Sequence, residues 1–322
     1  MKNIVYGFIF IFAAAAVAAQ AQAPTPSPKP ALTKVEASPS KGFSYPYFIY
    51  VPPAMRDVKQ AKVKQTVLVL PNNTGKLDDE LKIHEDYITQ REVQYIDVAS
   101  KIGVIVLVPV FPRPKTDWKI YTHALDRDSL ITGKKEYQRF DLQLLAMIDH
   151  ARRLLGREKI RTDKRVMIRG FSASGMFSNR FAFLHPERVK AAAVGSPGGW
   201  PIAPVSVYRE KKLRYPIGVD DLESVAGRGL KIKSLRKVAF FVYLGDQDDN
   251  DSVPFGDGYE EEDKELVFEL FGKTPVERWE ISKKLYRENK LRAEFKLYPG
   301  IKHTMTKEMT DDIAAFLQAH KK

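Results

Sequence analysis

A short apolar run, Val166-Met167-Ile168, leads through Arg169 into Gly170-Phe171-Ser172-Ala173-Ser174-Gly175, and helix-compatible sequence begins immediately afterwards. A strand that turns straight into a helix about a serine constrains this chain more than any other feature. The turn is sharp enough to strain the serine's backbone, and the residues two positions to either side must be small. Gly170 and Ser174 stand there, Ser174 where the usual Gly-x-Ser-x-Gly pattern has its second glycine. A plain Gly/Ser turn is the competing reading of so short a motif, and partners elsewhere in the chain decide between the two.

A nucleophilic serine needs a base, and the base needs a carboxylate to hold its tautomer. Each of the six histidines has a distinct setting. His84, among Lys82, Glu85 and Asp86, reads as surface, and His150, beside Asp149, as the solvated side of a helix. His185 precedes Pro186 near a helix end, His320 sits in the tail, and His123 lies upstream of the serine in a long connection. His303 follows a strand-like run at 293–298 and the turn Pro299-Gly300-Ile301-Lys302, and precedes a final amphipathic helix. That is the place for the base. The acid is expected after the apolar run at 238–244, which exits into Gly245-Asp246-Gln247-Asp248-Asp249-Asn250-Asp251. On the residues alone Asp246, Asp248, Asp249 and Asp251 all qualify. A calcium loop is the rival reading of this acidic stretch. Against it, Asp251 occupies the position that needs glycine, Asp257 is shorter than the bidentate glutamate wanted at the end, and the segment is entered from a strand.

Serine, aspartate and histidine in that order, each just after a strand, is the chain order of α/β-hydrolases. The elbow Gly170–Gly175, the strand exit Gly245-Asp246-Gln247-Asp248 with Val253-Pro254, and Gly300-Ile301-Lys302-His303 resemble the secreted esterase and poly(3-hydroxyalkanoate) depolymerase-like group of that superfamily. The resemblance covers about residues 40–320 in the order of elements, and its motifs are concentrated at the three positions named. It implies Ser172 as nucleophile, His303 as base and, from the spacing before the Val-Pro pair, Asp248 as the acid. The oxyanion hole needs two backbone N–H groups. Ala173, after the nucleophile, supplies one; the other is expected from Asn73, in the loop Pro71-Asn72-Asn73-Thr74-Gly75 after a strand at 66–70. Related chains more often carry a His-Gly pair there, and the side chains of Asn72 and Asn73 are candidate extra donors. An ordinary asparagine-rich turn remains the alternative.

Strands are expected at 44–51, 66–70, 104–109, 165–169, 191–194, 238–244 and 293–298, and helices at 92–101, 140–155, 174–184, 260–271, 276–288 and 308–319. The alternation predicts a mostly parallel central sheet with helices on both faces, and the resemblance implies that this is the α/β-hydrolase fold. Functional residues in such sheets lie beyond the carboxyl ends of the strands. Nucleotide binding is argued against: Gly170 and Gly175 have phosphate-loop spacing, but Met176-Phe177 stand where Lys and Ser/Thr are required. No cofactor and no metal is expected.

Residues 1–21 read as a secretory signal peptide, with Lys2 before an apolar core and Ala19-Gln20-Ala21 as its exit. Residues 22–39 read as a Pro-rich flexible linker, and 40–322 as one hydrolase domain with an inserted loop at 111–138 and a cap at 201–237. Export, to the periplasm or beyond, is inferred from the leader alone, since the chain has no cysteine. The net charge of +12 is spread among acids rather than set in an aromatic-interleaved stripe, so no nucleic-acid partner is expected. It leaves room for weak association with anionic envelope polymers, and no membrane insertion is expected once the leader is removed.

The 111–138 loop brings Trp118 and Tyr121, and the exit Gly195-Ser196-Pro197-Gly198-Gly199-Trp200 brings an indole, toward the expected cleft. Trp118, Tyr121 and Trp200, with Asn72, are the candidate substrate contacts, against a plain packing role. The function expected is a secreted serine hydrolase of a carboxylic ester, apolar or aromatic rather than highly charged. A peptidase or amidase would use the same three residues, and a non-catalytic envelope binding protein is the reading from another class.

Overall fold

Uninterrupted apolar runs such as Ile105-Val106-Leu107-Val108 suit strands covered on both faces. The computed structural model describes residues 32–56, 63–91 and 93–322 and uses the runs in this way. The expected leader and the first part of the linker lie outside the described residues. Strands β1 (Thr33–Val35), β2 (Tyr47–Tyr50) and β3 (Val67–Val69) precede helices α1 (Leu81–Arg91) and α2 (Val93–Ile102). Then come β4 (Ile105–Pro109), α3 (Asp128–Ile131), α4 (Phe140–Arg157), β5 (Val166–Phe171), α5 (Ala173–Leu184) and β6 (Val189–Gly195). The expected cap holds the hairpin β7 (Val207–Tyr208) and β8 (Lys211–Lys212) with the short helices α6 (Leu222–Ala226) and α7 (Ile232–Leu235). β9 (Ala239–Gly245), α8 (Glu261–Phe271), α9 (Pro275–Glu288), β10 (Arg292–Tyr298) and α10 (Lys307–His320) complete the order.

An eight-stranded sheet runs β1-β2-β4-β3-β5-β6-β9-β10. β2 is antiparallel to both β1 and β4, and the remaining pairs are parallel. Alternate residues of the central strands feed two cores. Val67, Val69, Val166, Ile168, Phe240 and Val242 pack under α4, α5 and α9. Leu68, Met167, Ala193 and Phe241 face α1, α2 and α10. Helix α4 shows the fit: Phe140, Leu144, Met147, Ala151 and Leu155 recur at helical spacing along its buried stripe. Helix α9 starts at Pro275 behind Thr274, whose Oγ1 accepts the Glu277 N–H, and Thr306 caps α10 in the same way at Met309.

Every expected strand and helix has a counterpart, with ends shifted by a few residues. Three readings are corrected. The stretch read as linker carries β1, which pairs with β2 from Thr33↔Ile49 to Val35↔Tyr47. His84 is buried, because α1 places it one turn from buried Ile88 on the inward face. His150 is buried as well, three residues after Met147 on the apolar stripe of α4, with Nδ1 3.0 Å from the Tyr47 hydroxyl. Among the described residues no helix is long and apolar enough to cross a membrane.

Candidate active site

Strand β5 ends at Phe171 and α5 begins at Ala173, which leaves Ser172 alone in the turn with φ 60° and ψ −128°. A non-glycine residue there is strained and persists only because its surroundings over-determine it. The surroundings are tight. A Cβ at Gly170 would lie 1.9 Å from the Ser174 carbonyl oxygen, and one at Gly175 would lie 2.2 Å from that of Gly195 on β6. The helix-side position that admits no side chain is therefore Gly175, not 174. Ser174 is tolerated because its Oγ turns back, accepting from the Phe171 N–H at 3.0 Å and donating to the Phe171 carbonyl at 2.9 Å.

The parallel pair β9–β10 delivers the candidate acid and the candidate base. Beyond the strand ends their exit loops stay joined: the Asp246 N–H donates to the Tyr298 carbonyl and the Gln247 N–H to that of Ile301, each at 3.0 Å. The Asp246 carboxylate accepts the Gly300 N–H at 2.7 Å. This lacing sets His303 Nδ1 3.0 and 2.9 Å from the two carboxylate oxygens of Asp248. The other three acids are accounted for: Asp246 holds Gly300, Asp249 is exposed, and Asp251 takes both Nη groups of Arg278 at 3.0 and 2.8 Å. Burial alone would raise the Asp248 carboxyl, but the bond to His303 and the Asn250 amide hold it below the ordinary carboxylate value. The nearby Ser196 hydroxyl works in the same direction, although no hydrogen bond of ordinary geometry closes on its oxygen. The Phe171 ring lies against His303, centroids 4.8 Å apart, and so ties the histidine loop to the elbow.

The loop after β3 arrives beside the elbow. Asn73 Nδ2 reaches the Phe171 carbonyl at 3.4 Å, and Ala173 opens the first turn of α5, where N–H groups have no partner within the helix. Asn72 is corrected. It is 0% exposed, with Nδ2 donating to the Phe111 carbonyl and Oδ1 accepting the Phe111 N–H at 2.8 and 2.9 Å, so its amide ties the loop to the exit of β4 and has no face for a substrate. His123 and His84 back the same loop. His123 Nε2 lies 2.7 Å from the Phe111 carbonyl, and His84 Nδ1 lies 2.8 Å from Thr74 Oγ1. Burial depresses His123 to about 3, so its ring is neutral.

Trp200 is also corrected. It is 1% exposed, its indole stacks on Phe271 at 4.0 Å and its Nε1 donates to the Ile217 carbonyl, which makes it a packing residue of the cap. Tyr121 belongs with Ala173 and Met176 in the cluster behind the elbow, the Arg113 guanidinium 3.9 Å above its ring. Burial pushes the Tyr121 hydroxyl up to about 12. Trp118 stands 43% exposed on the loop. Two arginines that sequence reasoning passed over brace the site: Arg278 on Asp251, and Arg113 on Asp257 at 3.0 Å. Asp257, the acid that would have closed a calcium loop, is thus taken by Arg113, and among the described residues no group of three or more His, Cys, Asp or Glu is placed to hold a metal ion. Beside the serine, a cleft is lined by Leu70, Asn73, Tyr87, Arg169, Phe171 and Ser174.

A strand order of β1-β2-β4-β3-β5-β6-β9-β10, an antiparallel β2 and a strained serine at the end of β5 describe one known architecture. Solved structures agree. Poly(aspartic acid) hydrolase-1 from Sphingomonas sp. KT-1 superposes with a TM-score of 0.58 at 18% identity, over 91% of this chain and 99% of its own. LpqC, a poly(3-hydroxybutyrate) depolymerase from Bordetella parapertussis, gives 0.52 at 18% identity over 84% and 83%. FphF, a fluorophosphonate-binding serine hydrolase of Staphylococcus aureus, gives 0.50 at 12% identity over 91% and 98%. The chain has the α/β-hydrolase fold. At these identities the likeness is one of fold. No family model and no curated protein matches the chain.

Proposed function

We propose that this α/β-hydrolase-fold protein is an exported serine hydrolase that cleaves a carboxylic ester through an acyl-enzyme on Ser172. The observation that carries the reading is the Asp248–His303 pair, at 2.9 and 3.0 Å, on the same sheet edge as a serine with the backbone angles of a nucleophile elbow. With Nδ1–H donated to Asp248, His303 keeps Nε2 as the unprotonated nitrogen. Ser172 Oγ attacks the ester carbonyl while its proton passes to Nε2, and the carbonyl oxygen becomes an oxyanion received by the Ala173 and Asn73 N–H groups. Collapse breaks the bond to the alcohol oxygen, which takes the proton from His303. Water then gives a proton to His303 and attacks the acyl group, and the acid leaves as Ser172 regains its proton.

Two of the fold neighbours, a depolymerase of a polyester and a fluorophosphonate-binding serine hydrolase, favour ester cleavage by a serine. Export rests on the leader-like composition of residues 1–21, and nucleic acid is not among the partners proposed. A fluorophosphonate probe followed by a panel of p-nitrophenyl esters and peptide anilides tests the reading. Labelling with turnover of esters over anilides supports it. Turnover of anilides alone would make the protein a peptidase, and no labelling with no turnover would make it a binding protein.

A further inference from the structure

The loop that carries Asn73 has little backbone bonding to hold it. The Leu70 N–H donates to the Leu107 carbonyl and the Asp78 N–H to that of Arg113, at 2.9 Å each, but among the described residues no N–H from 72 to 77 meets a backbone acceptor. A stretch of this kind opens readily unless side chains anchor it. Two do. Asn72 and Thr74 are buried on either side of the half-buried Asn73. The Asn72 amide closes on the N–H and carbonyl of Phe111, and Thr74 Oγ1 meets His84 Nδ1 at 2.8 Å.

His84 completes the second anchor. It is 0% exposed on α1, and its Nε2 lies 3.1 Å from the Asp78 carbonyl and 3.2 Å from the Arg113 N–H. The contacts thus run from Phe111 through Asn72, Asn73, Thr74 and His84, and return at Arg113, two residues further along the same strand exit. Asn73 stands in the middle of that circuit, its Nδ2 3.4 Å from the Phe171 carbonyl beside the serine. Burial lowers the His84 ring below the ordinary histidine value, so it is neutral near pH 7. One ring nitrogen then donates and the other accepts, and the Thr74 hydroxyl, which can do both, suits either tautomer. Oxyanion donors are effective when they are already aimed as charge develops. We propose that His84 is a positioning residue for the oxyanion hole: through Thr74 it fixes the Asn73 N–H toward the ester oxygen that turns negative. This role rests on the proposed hydrolase function, with Ser172 as nucleophile and Asn73 as oxyanion donor. It gives a task to a histidine whose charged neighbours in the sequence read as surface.

Hydrolysis of p-nitrophenyl butyrate and inhibition by an alkyl trifluoromethyl ketone, both measured on the full chain, test the role. The ketone takes Ser172 Oγ at its carbonyl carbon, the serine proton passes to His303, and the oxygen is left as an oxyanion in the same hole, so its Ki reports on that hole. His84→Phe should lower kcat by about 10- to 100-fold with little change in KM, and weaken the ketone Ki by a matching factor, as a displaced oxyanion donor does. His84→Asn, which keeps a polar atom where Nδ1 stands, should recover most of both. Thr74→Val breaks the same link from the other side and carries the test if His84→Phe fails to fold by thermal melting; the double variant should lose little more than either single. A histidine that only packs would lower the melting temperature and leave kcat and Ki near the parent in folded variants. That result, or a loss confined to KM, would overturn the proposal. Fluorophosphonate labelling of the parent at Ser172 reports separately on the nucleophile. A parent that takes no label removes the hydrolase reading and this role with it, whereas a labelled parent with unchanged variants removes this role alone.

Discussion

Replacing Arg278 by methionine removes the clamp on the loop that carries Asp248. The Arg278 side chain is 0% exposed and grips Asp251 through both Nη atoms, with further bonds from Nε to the Gly272 carbonyl and from Nη1 to the Gly199 carbonyl. Methionine has similar length but leaves the Asp251 carboxylate buried, with the Val253 N–H as its remaining hydrogen-bond donor among the described residues. Removing one partner of a buried pair costs about 3–5 kcal/mol, most of it the stranded charge. At roughly 2–4 °C per kcal/mol for a domain of this size, the melting temperature should fall by roughly 6–20 °C. Adding Asp251→Asn removes the stranded charge, so the double variant should lose less than the sum of the singles, by about 0.5–3 kcal/mol. Urea unfolding followed by circular dichroism reads all four corners of the cycle. A loss below about 1 kcal/mol for Arg278→Met, or strict additivity, would refute the argument that this pair braces the acid loop.

Two other outcomes follow from the site and the core. Asp248→Asn should lower kcat by roughly 10⁴-fold, because an amide leaves His303 in the wrong tautomer, while Asp246→Asn and Asp249→Asn stay near the parent; steady-state ester hydrolysis by folded variants decides this. Asp141 is fully buried, and although burial raises its carboxyl, bonds from Arg139 and His185 outweigh that and bring it down to about 2 from 3.8. A lowered folded value stabilises the fold above the unfolded value and is lost as pH falls through the folded one, here between about 3.8 and 2. The destabilisation by Asp141→Asn should therefore shrink by about 2 kcal/mol between roughly pH 5 and pH 2, and an equal loss at both would contradict the assignment.

Patterns that are local in the chain were the legible ones. The elbow, the two strand exits and the final turn are each a few residues long, and the apolar runs marked the central strands because both sheet faces are covered. Side-chain direction within a loop was not legible. Asn72 and Trp200 leave strands on the correct edge, yet each turns inward to backbone carbonyls, a choice set by tertiary packing. The same limit left four acids equivalent until the Gly300, Arg278 and His303 contacts separated them. Other signals were present and passed over. His84 is four residues before Ile88 and His150 three after Met147, spacings that place both on buried helix faces whatever charges flank them.

The identity of the nucleophile is the claim on which the rest depends. Ser172→Ala, checked for fold by its melting temperature, should lose roughly 10⁴–10⁶-fold in kcat toward an activated ester such as p-nitrophenyl butyrate, as loss of the nucleophile does in a serine triad. Hydrolysis near the parent rate by a folded Ser172→Ala protein would contradict the account.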